Sequence, residues 1–324
     1  MREFVRKWTL AISMLAGVSA YFLFSSLPLD VGMRGALLQG VAVIQPLLIF
    51  AMLFLTFCRV RPAELRLARW QMWNLMLQCG MFALLCLVLV AYPYTPLRPA
   101  LEGALLCFIC PTATAAVVVT SKLGGRAGST TAYTLLINLC VAIIVPMAVP
   151  LAHPQAGMNF THAFATILAK VFPLLLCPIV AAEVLRRVSP RITERLASYR
   201  DLPFRLWAVS LALALAVTTR SLVQSHVSLL TAGSIALASL MACVMQFSLG
   251  RWAGLKSGDP ISSAQSCGQK NTVFAIWMGY TFLTPVTALA GGFYSIWHNV
   301  YNSWQLARMR KDEPSARPCT DKEA

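Results

Sequence analysis

Ten apolar runs, most of about twenty residues, follow one another along the 324-residue chain. A helix needs about 20 apolar residues to cross the ~30 Å hydrocarbon core of a bilayer. The runs are Trp8–Leu27, Ala36–Phe57, Gln71–Ala91, Leu97–Thr120, Ser129–Leu151, Thr161–Val184, Phe204–Thr219, Leu229–Leu249, Ile261–Tyr280 and Pro285–Ala307. The seventh is the shortest. The composition is 58% hydrophobic and only 12% charged, too few charges to cover a soluble fold of this length. These numbers exclude a cytosolic enzyme, a disordered regulator and a small secreted scaffold. They predict an all-α polytopic membrane protein with ten transmembrane helices.

The first run follows Arg2, Arg6 and Lys7 and resembles a signal peptide, with a cleavage-like Val18-Ser19-Ala20. Its apolar stretch is longer than the usual 7–15-residue core of such peptides, so a retained helix is expected.

Charge placement sets the topology. Of the 27 Lys and Arg residues, 22 fall in the N-terminus, the even-numbered loops and the tail. The opposite loops hold only Arg34, Arg98 and Arg220. By the positive-inside rule both termini are cytoplasmic; the expected location is the plasma membrane, in a bacterium the inner one. The net charge of +15 is therefore a matter of topology, and nucleic acid is not expected as a partner. The tail from Arg308, polar and with Pro314 and Pro318, reads as disordered. The ten cysteines lie mostly inside apolar runs and read as small buried hydrophobes.

Ten spans divide into two sets of five, 1–151 and 152–307, with a tail at 308–324. An odd repeat unit sets its second copy upside down, the pattern of many secondary transporters, whose sites lie where interrupted helices occupy matching positions. The fourth span is interrupted at Pro111, which removes a backbone donor and clashes with the preceding turn. Thr112 and Thr114 set hydroxyls beside the freed carbonyls. The ninth span, fourth of its own half, carries Ser266, Gln269, Lys270, Asn271 and Thr272 around Gly268. Lys270 lies about 14 Å into its span at 1.5 Å per residue. Polar groups at that depth need a cavity or a partner, because lipid satisfies none of them.

At these residues the chain resembles the bile acid:sodium symporter family. Cys110-Pro111-Thr112-Ala113-Thr114-Ala115 is similar to the family's CPGGTAS motif in the fourth helix. Gly268-Gln269-Lys270-Asn271 is similar to its GMQN motif in the ninth. Gly292-Phe293-Tyr294-Ser295-Ile296-Trp297-His298-Asn299 is similar to its ALFSVWHN stretch in the tenth. The resemblance implies ten helices in an inverted repeat, a panel domain against a core domain, and fourth and ninth helices that unwind and cross. It implies transport of small organic anions such as bile acids, steroid sulfates and pantoate, usually with two sodium ions.

The family's sodium ligands match this chain poorly. Where the first site has Ser-Asn, this chain has Ala116 and Val117. Hydroxyls are kept as Thr130 and Thr134, and a glutamine as Gln78. The glutamate shared by both ion sites matches Ser266, and the second site's glutamine matches Lys270. None of the twelve acidic residues lies near the centre of a span. The Lys270 ammonium is therefore expected in the place of the second sodium ion, donating to Ser266, Gln78 or freed carbonyls. Two mechanisms follow: a fixed internal cation with uniport or exchange, or a proton given and taken in each cycle. Sodium-coupled symport through neutral oxygens is the alternative; no other cofactor is expected.

Other residues carry weaker expectations. Asn138 lines the core. His298 and Asn299 bond across helices. Lys170 anchors at an interface. Trp297, Trp304, Tyr294 and Tyr301 form an aromatic belt. No Walker A pattern is present, so the chain by itself is not expected to be ATP-driven. No HExxH, GxSxG or intramembrane aspartate supports an enzyme. A metalloid permease using Cys110, and a sensor that binds without transporting, are the remaining alternatives.

Overall fold

The computed structural model describes residues 2–60, 65–154, 158–199, 201–224 and 227–312. Arg61, Glu64, Arg200 and the tail from 313, including Pro314, Arg317, Pro318, Cys319 and Lys322, lie outside the described residues. The described residues form thirteen helices, with one isolated β-bridge and no strand. In chain order they are α1 (Arg2–Ser26), α2 (Val31–Cys58), α3 (Arg69–Ala91), α4 (Arg98–Ile109), α5 (Thr114–Lys122), α6 (Ala127–Ala152) and α7 (Phe160–Val188). Then come α8 (Pro190–Ser198), α9 (Leu202–Gln224), α10 (Leu229–Leu255), α11 (Pro260–Gly268), α12 (Thr272–Phe282) and α13 (Leu289–Asp312).

Six of these, α2, α3, α6, α7, α9 and α10, are long and apolar enough to cross a bilayer. Their outward faces carry large apolar side chains such as Leu47, Leu87, Val180 and Met241, all more than half exposed. A soluble protein rarely leaves so much apolar surface bare. The molecule is an all-helical membrane protein.

Helix starts follow local chemistry. Asp30 accepts from Met33 N at 2.7 Å, Asn159 from His162 N at 2.9 Å and Ser228 from Thr231 N at 3.1 Å. Each satisfies one of the orphan donors of a first turn. The seventh apolar run is longer than its hydropathy indicates: α9 extends to 202 and 224 because polar Arg205, Arg220 and Ser221 continue the helix. The loop before it folds into α8, a short helix with Pro190 at its first turn.

Two groups of helices result. One is a row in which α1 packs on α9, α9 on α2 and α2 on α7. Gly17 permits the first contact, since a Cβ there would lie 2.4 Å from the Ala212 carbonyl oxygen. The other group gathers α3, α4, α10, α11 and α13, with α6 packed on α7 of the row as well as on α3. Its tightest approach is α10 on α11, where Gly250 and Gly254, spaced as GxxxG, lie against Ser263 and Asp259. Small residues at this spacing let helix backbones approach closely within a membrane.

Five prolines, at 46, 146, 150, 173 and 178, sit inside unbroken helices. Only at Pro111 does the chain leave the helix, over 110–113, and the ninth run opens at 269–271 without any proline. Proline alone therefore does not make the break. The difference is a partner: the two open segments pair with each other.

Candidate functional site

The two open segments cross near the middle of the helical group. Thr112 and Lys270 face each other in an antiparallel bridge. Ala113 N donates to the Gln269 carbonyl at 2.8 Å, and Asn271 N donates to the Pro111 carbonyl at 2.9 Å. Backbone groups that would be unsatisfiable in lipid are thus satisfied by each other.

Side chains complete the crossing. Thr112 Oγ1 donates to the Ser266 carbonyl at 2.7 Å, and Gln78 Nε2 to the Cys267 carbonyl at 3.2 Å. Lys270 is 1% exposed, and its Nζ donates to the Phe108 carbonyl at 3.3 Å. Of the three kinds of partner expected for the ammonium, the structure selects a freed carbonyl of the fourth span. Ser266 Oγ and Gln78 Oε1 are buried without a partner. Gly268 closes α11 for a packing reason: a Cβ there would lie 2.4 Å from the Phe247 ring. Asn271 caps α12, its Oδ1 accepting from Phe274 N at 3.2 Å, and Thr272 N donates to the Lys270 carbonyl at 3.0 Å.

The remaining candidates divide. Thr130 donates to Thr120 Oγ1 at 3.2 Å and Thr134 bonds back to Thr130's own carbonyl at 2.9 Å. Asn138 is fully buried with neither amide atom partnered. Thr114, Gln269, Lys270, His298 and Asn299 line a cavity. Asn299 bonds within α13, to Ser295 O at 2.7 Å. Lys170 is exposed, with its ammonium 5.7 Å from the centre of the Phe282 ring.

That cavity has a volume of about 910 Å³ and lies between the two helix groups. One wall comes from α2, α7, α8 and α9, with Thr56, Arg186, Thr193 and Trp207. The other comes from α5, α6 and α13, with Val118, Thr131 and Asn302. Its lining also includes Arg59 at the end of α2, Lys122 at the end of α5, and the acidic Glu194 and Asp201. Arg186 is structural: it donates to the Phe57 and Val60 carbonyls at 2.9 and 2.7 Å, closing the end of α2, and pairs with Glu183.

Tyr294 corrects an expectation. It does not join an aromatic belt but is 1% exposed, and its hydroxyl donates to the Gly268 carbonyl at 2.8 Å. The α13 face carrying it points inward, onto the ninth-span break. Trp304, 53% exposed, does lie on the outer surface.

Gln71 and Asn74, not singled out in the sequence, join the expected Gln78 in a polar stripe on α3, the three reaching Ser129 O, Ser263 O and Cys267 O. Their i, i+3, i+7 spacing in an apolar run was the available signal. Gln246 is a lone amide in α10. Cys107 and Cys110 have CxxC spacing; Cys107 Sγ lies 3.9 Å from Ala290 O and Cys110 Sγ 2.8 Å from Asn271 O, so the pair packs into the crossing.

A comparison with protein families decides the relationship. The profile of the SBF-like CPA transporter family matches residues 13–307. The chain belongs to that family. This bears out the resemblance to bile acid:sodium symporters, and the protein is a membrane transporter by family. No curated protein matched the chain.

Proposed function

We propose that this SBF-like protein is a secondary transporter that moves a small organic anion, of the bile acid, steroid sulfate or pantoate kind, across the bacterial inner membrane by alternating access. In this reading the chain makes ten spans in two inverted repeats, 1–151 and 152–307, with both termini cytoplasmic. The row α1–α9–α2–α7 is the panel and the other group the core. The cavity is the substrate passage in its inward-open form, because its lining includes Arg59, Lys122 and Arg186, at helix ends on the side read as cytoplasmic.

The observation that carries the reading is Lys270 at the floor of that cavity. Four half-helix ends meet at the crossing: the C-termini of α4 and α11 and the N-termini of α5 and α12. At about half a charge each, two negative and two positive, they cancel. Lys270 then leaves one positive charge over, and no described carboxylate forms an ion pair with it. A buried cation beside a passage of this size favours an anion as cargo. Coupling is proton-linked or absent, according to whether Lys270 keeps its proton through the cycle. The second reading, sodium symport through neutral oxygens, would have to draw on the unpartnered Gln78 Oε1 and Ser266 Oγ.

The test is uptake of labelled taurocholate, estrone sulfate and pantoate into proteoliposomes, with and without sodium and pH gradients. Uptake of one of them, abolished by Lys270→Gln, is expected. Binding without uptake under every gradient would make the protein a sensor.

A further inference from the structure

Both breaks free backbone carbonyls, the groups that hold alkali cations in transporters with unwound helices. Here most of those carbonyls already have partners. At the end of α4, Leu106 O accepts from Cys110 N at 3.0 Å, Cys107 O from Gln246 Nε2 at 3.2 Å and Phe108 O from Lys270 Nζ at 3.3 Å. At the end of α11, Gln265 O accepts from Gln269 N at 3.0 Å, Ser266 O from Thr112 Oγ1 at 2.7 Å and Cys267 O from Gln78 Nε2 at 3.2 Å. Gly268 O accepts from the Tyr294 hydroxyl at 2.8 Å. Gln246 Nε2 also donates to Tyr294 Oη at 3.1 Å, so this pair joins the two breaks on the α10–α13 side.

We infer that Lys270, Gln78, Thr112, Gln246 and Tyr294 together hold the crossing in place of alkali cations, and that the protein works without sodium. The donor set does not fit the two sodium ions that the family resemblance implies. A hard cation is held by a shell of oxygens. The residues at the first site are Ala116 and Val117, which bring no side-chain oxygen, and Thr130 and Thr134, whose two neutral hydroxyls bring no charge to offset a cation. At the second, Gln78 Oε1 and Ser266 Oγ are two neutral oxygens in a cluster that already contains an ammonium. A second cation there meets repulsion and no carboxylate. Tyr294 and Gln246 are positioning residues: neither is among the residues lining the cavity, and both act by fixing the two half-helix ends.

The inference rests on the transport reading for its consequence, a carrier without sodium coupling, but its test needs no substrate. The purified full-length chain is melted in sodium chloride and in choline chloride at equal ionic strength. A cation at about a hundred times its Kd raises the melting temperature of a chain this long by roughly 5 °C. The wild type is expected to melt at the same temperature in both salts. Lys270→Met is expected to melt lower in choline and to gain a rise specific to sodium. Tyr294→Phe, which removes one hydroxyl, keeps the question open to test if Lys270→Met does not fold. It is expected to melt lower, by the same amount in both salts. A sodium-specific rise of about 5 °C in the wild type overturns the inference. So does a Tyr294→Phe variant that melts like the wild type. Failure of every transport assay, with the melts as expected, would remove the carrier reading and leave the ion-free crossing standing.

Discussion

Glu102 gives the sharpest test of what holds the core group together. It lies one turn into α4, 2% exposed, and its carboxylate meets three groups. Arg98 Nε is at 2.9 Å, His153 Nδ1 at 2.9 Å and Thr287 Oγ1 at 2.8 Å. These tie the start of α4 to the end of α6 and to the turn before α13. Arg98 also donates to the Pro93 and Ala152 carbonyls at 2.9 and 2.7 Å, so it stays in place when the carboxylate is lost. Glu102→Ala removes the shared acceptor. The Arg98 and His153 side chains are 24% and 21% exposed, and water recovers part of their loss, leaving about 1 kcal/mol each. Thr287 is fully buried, and its orphaned hydroxyl costs about 1–2 kcal/mol, the lower end because Thr284 Oγ1 lies 2.6 Å away as a substitute partner. The total is about 3–4 kcal/mol, in the range for breaking one side of a buried ion pair. That corresponds to a fall of roughly 6–10 °C in melting temperature in detergent. Glu102→Gln keeps the shape and an acceptor for Thr287 and should lose about half as much. If Glu102→Ala melts within a degree of the wild type, the three contacts are not what joins these elements.

Other predictions follow from single contacts. Gly268→Ala forces a methyl into the Phe247 ring and should cost about 1–3 kcal/mol by overpacking, whereas Gly35→Ala, with nothing within 4 Å, should be neutral in the same melt. Val118→Trp places an indole in the cavity and should block uptake while leaving the melting temperature near that of the wild type. A tag at the C-terminus should resist protease added outside intact cells and be cut once they are opened; cleavage from outside would overturn the topology.

The six long apolar helices and the sites of both breaks were legible because they depend on local rules. Hydrophobic length, one proline and one polar run needed no tertiary information. Helix ends were less so: α9 begins two residues before the seventh run and continues past it through Arg220 to Gln224. What the break does was not legible either. Pro111 and the proline at 146 are equal as residues, and only the pairing of 110–113 with 269–271 separates an open segment from a tolerated kink. Tyr294 fails for a similar reason. It lies near the middle of the tenth run, a depth that does not suit an interfacial ring, and only the facing of α13 shows that its hydroxyl reaches Gly268. Lys270 was legible as a buried cation, but its partner, a backbone carbonyl, leaves no mark in the side-chain sequence.

The role assigned to Lys270 separates charge from shape, and Lys270→Arg tells them apart. Its ammonium makes one bond, to Phe108 O, inside a cluster closed by Cys107, Cys110, Cys267 and the crossing backbone. An ammonium is compact and its three donors rotate freely. A guanidinium is planar, larger, and carries five donors in a fixed fork. At 1% exposure the surplus donors meet protein on almost every side, and the unpartnered acceptors on α3, on α11 and at the adjoining break include Gln78 Oε1, Ser266 Oγ and Gln269 Oε1. Lys270→Arg keeps the excess positive charge that favours an anion, yet it should push α4 and α11 apart. Anion binding is expected to survive in reduced form while uptake is lost, because the half-helix ends no longer meet in one geometry. If Lys270→Arg transports as well as the wild type, charge alone is what the site needs, and the ammonium has no place in the architecture of the crossing.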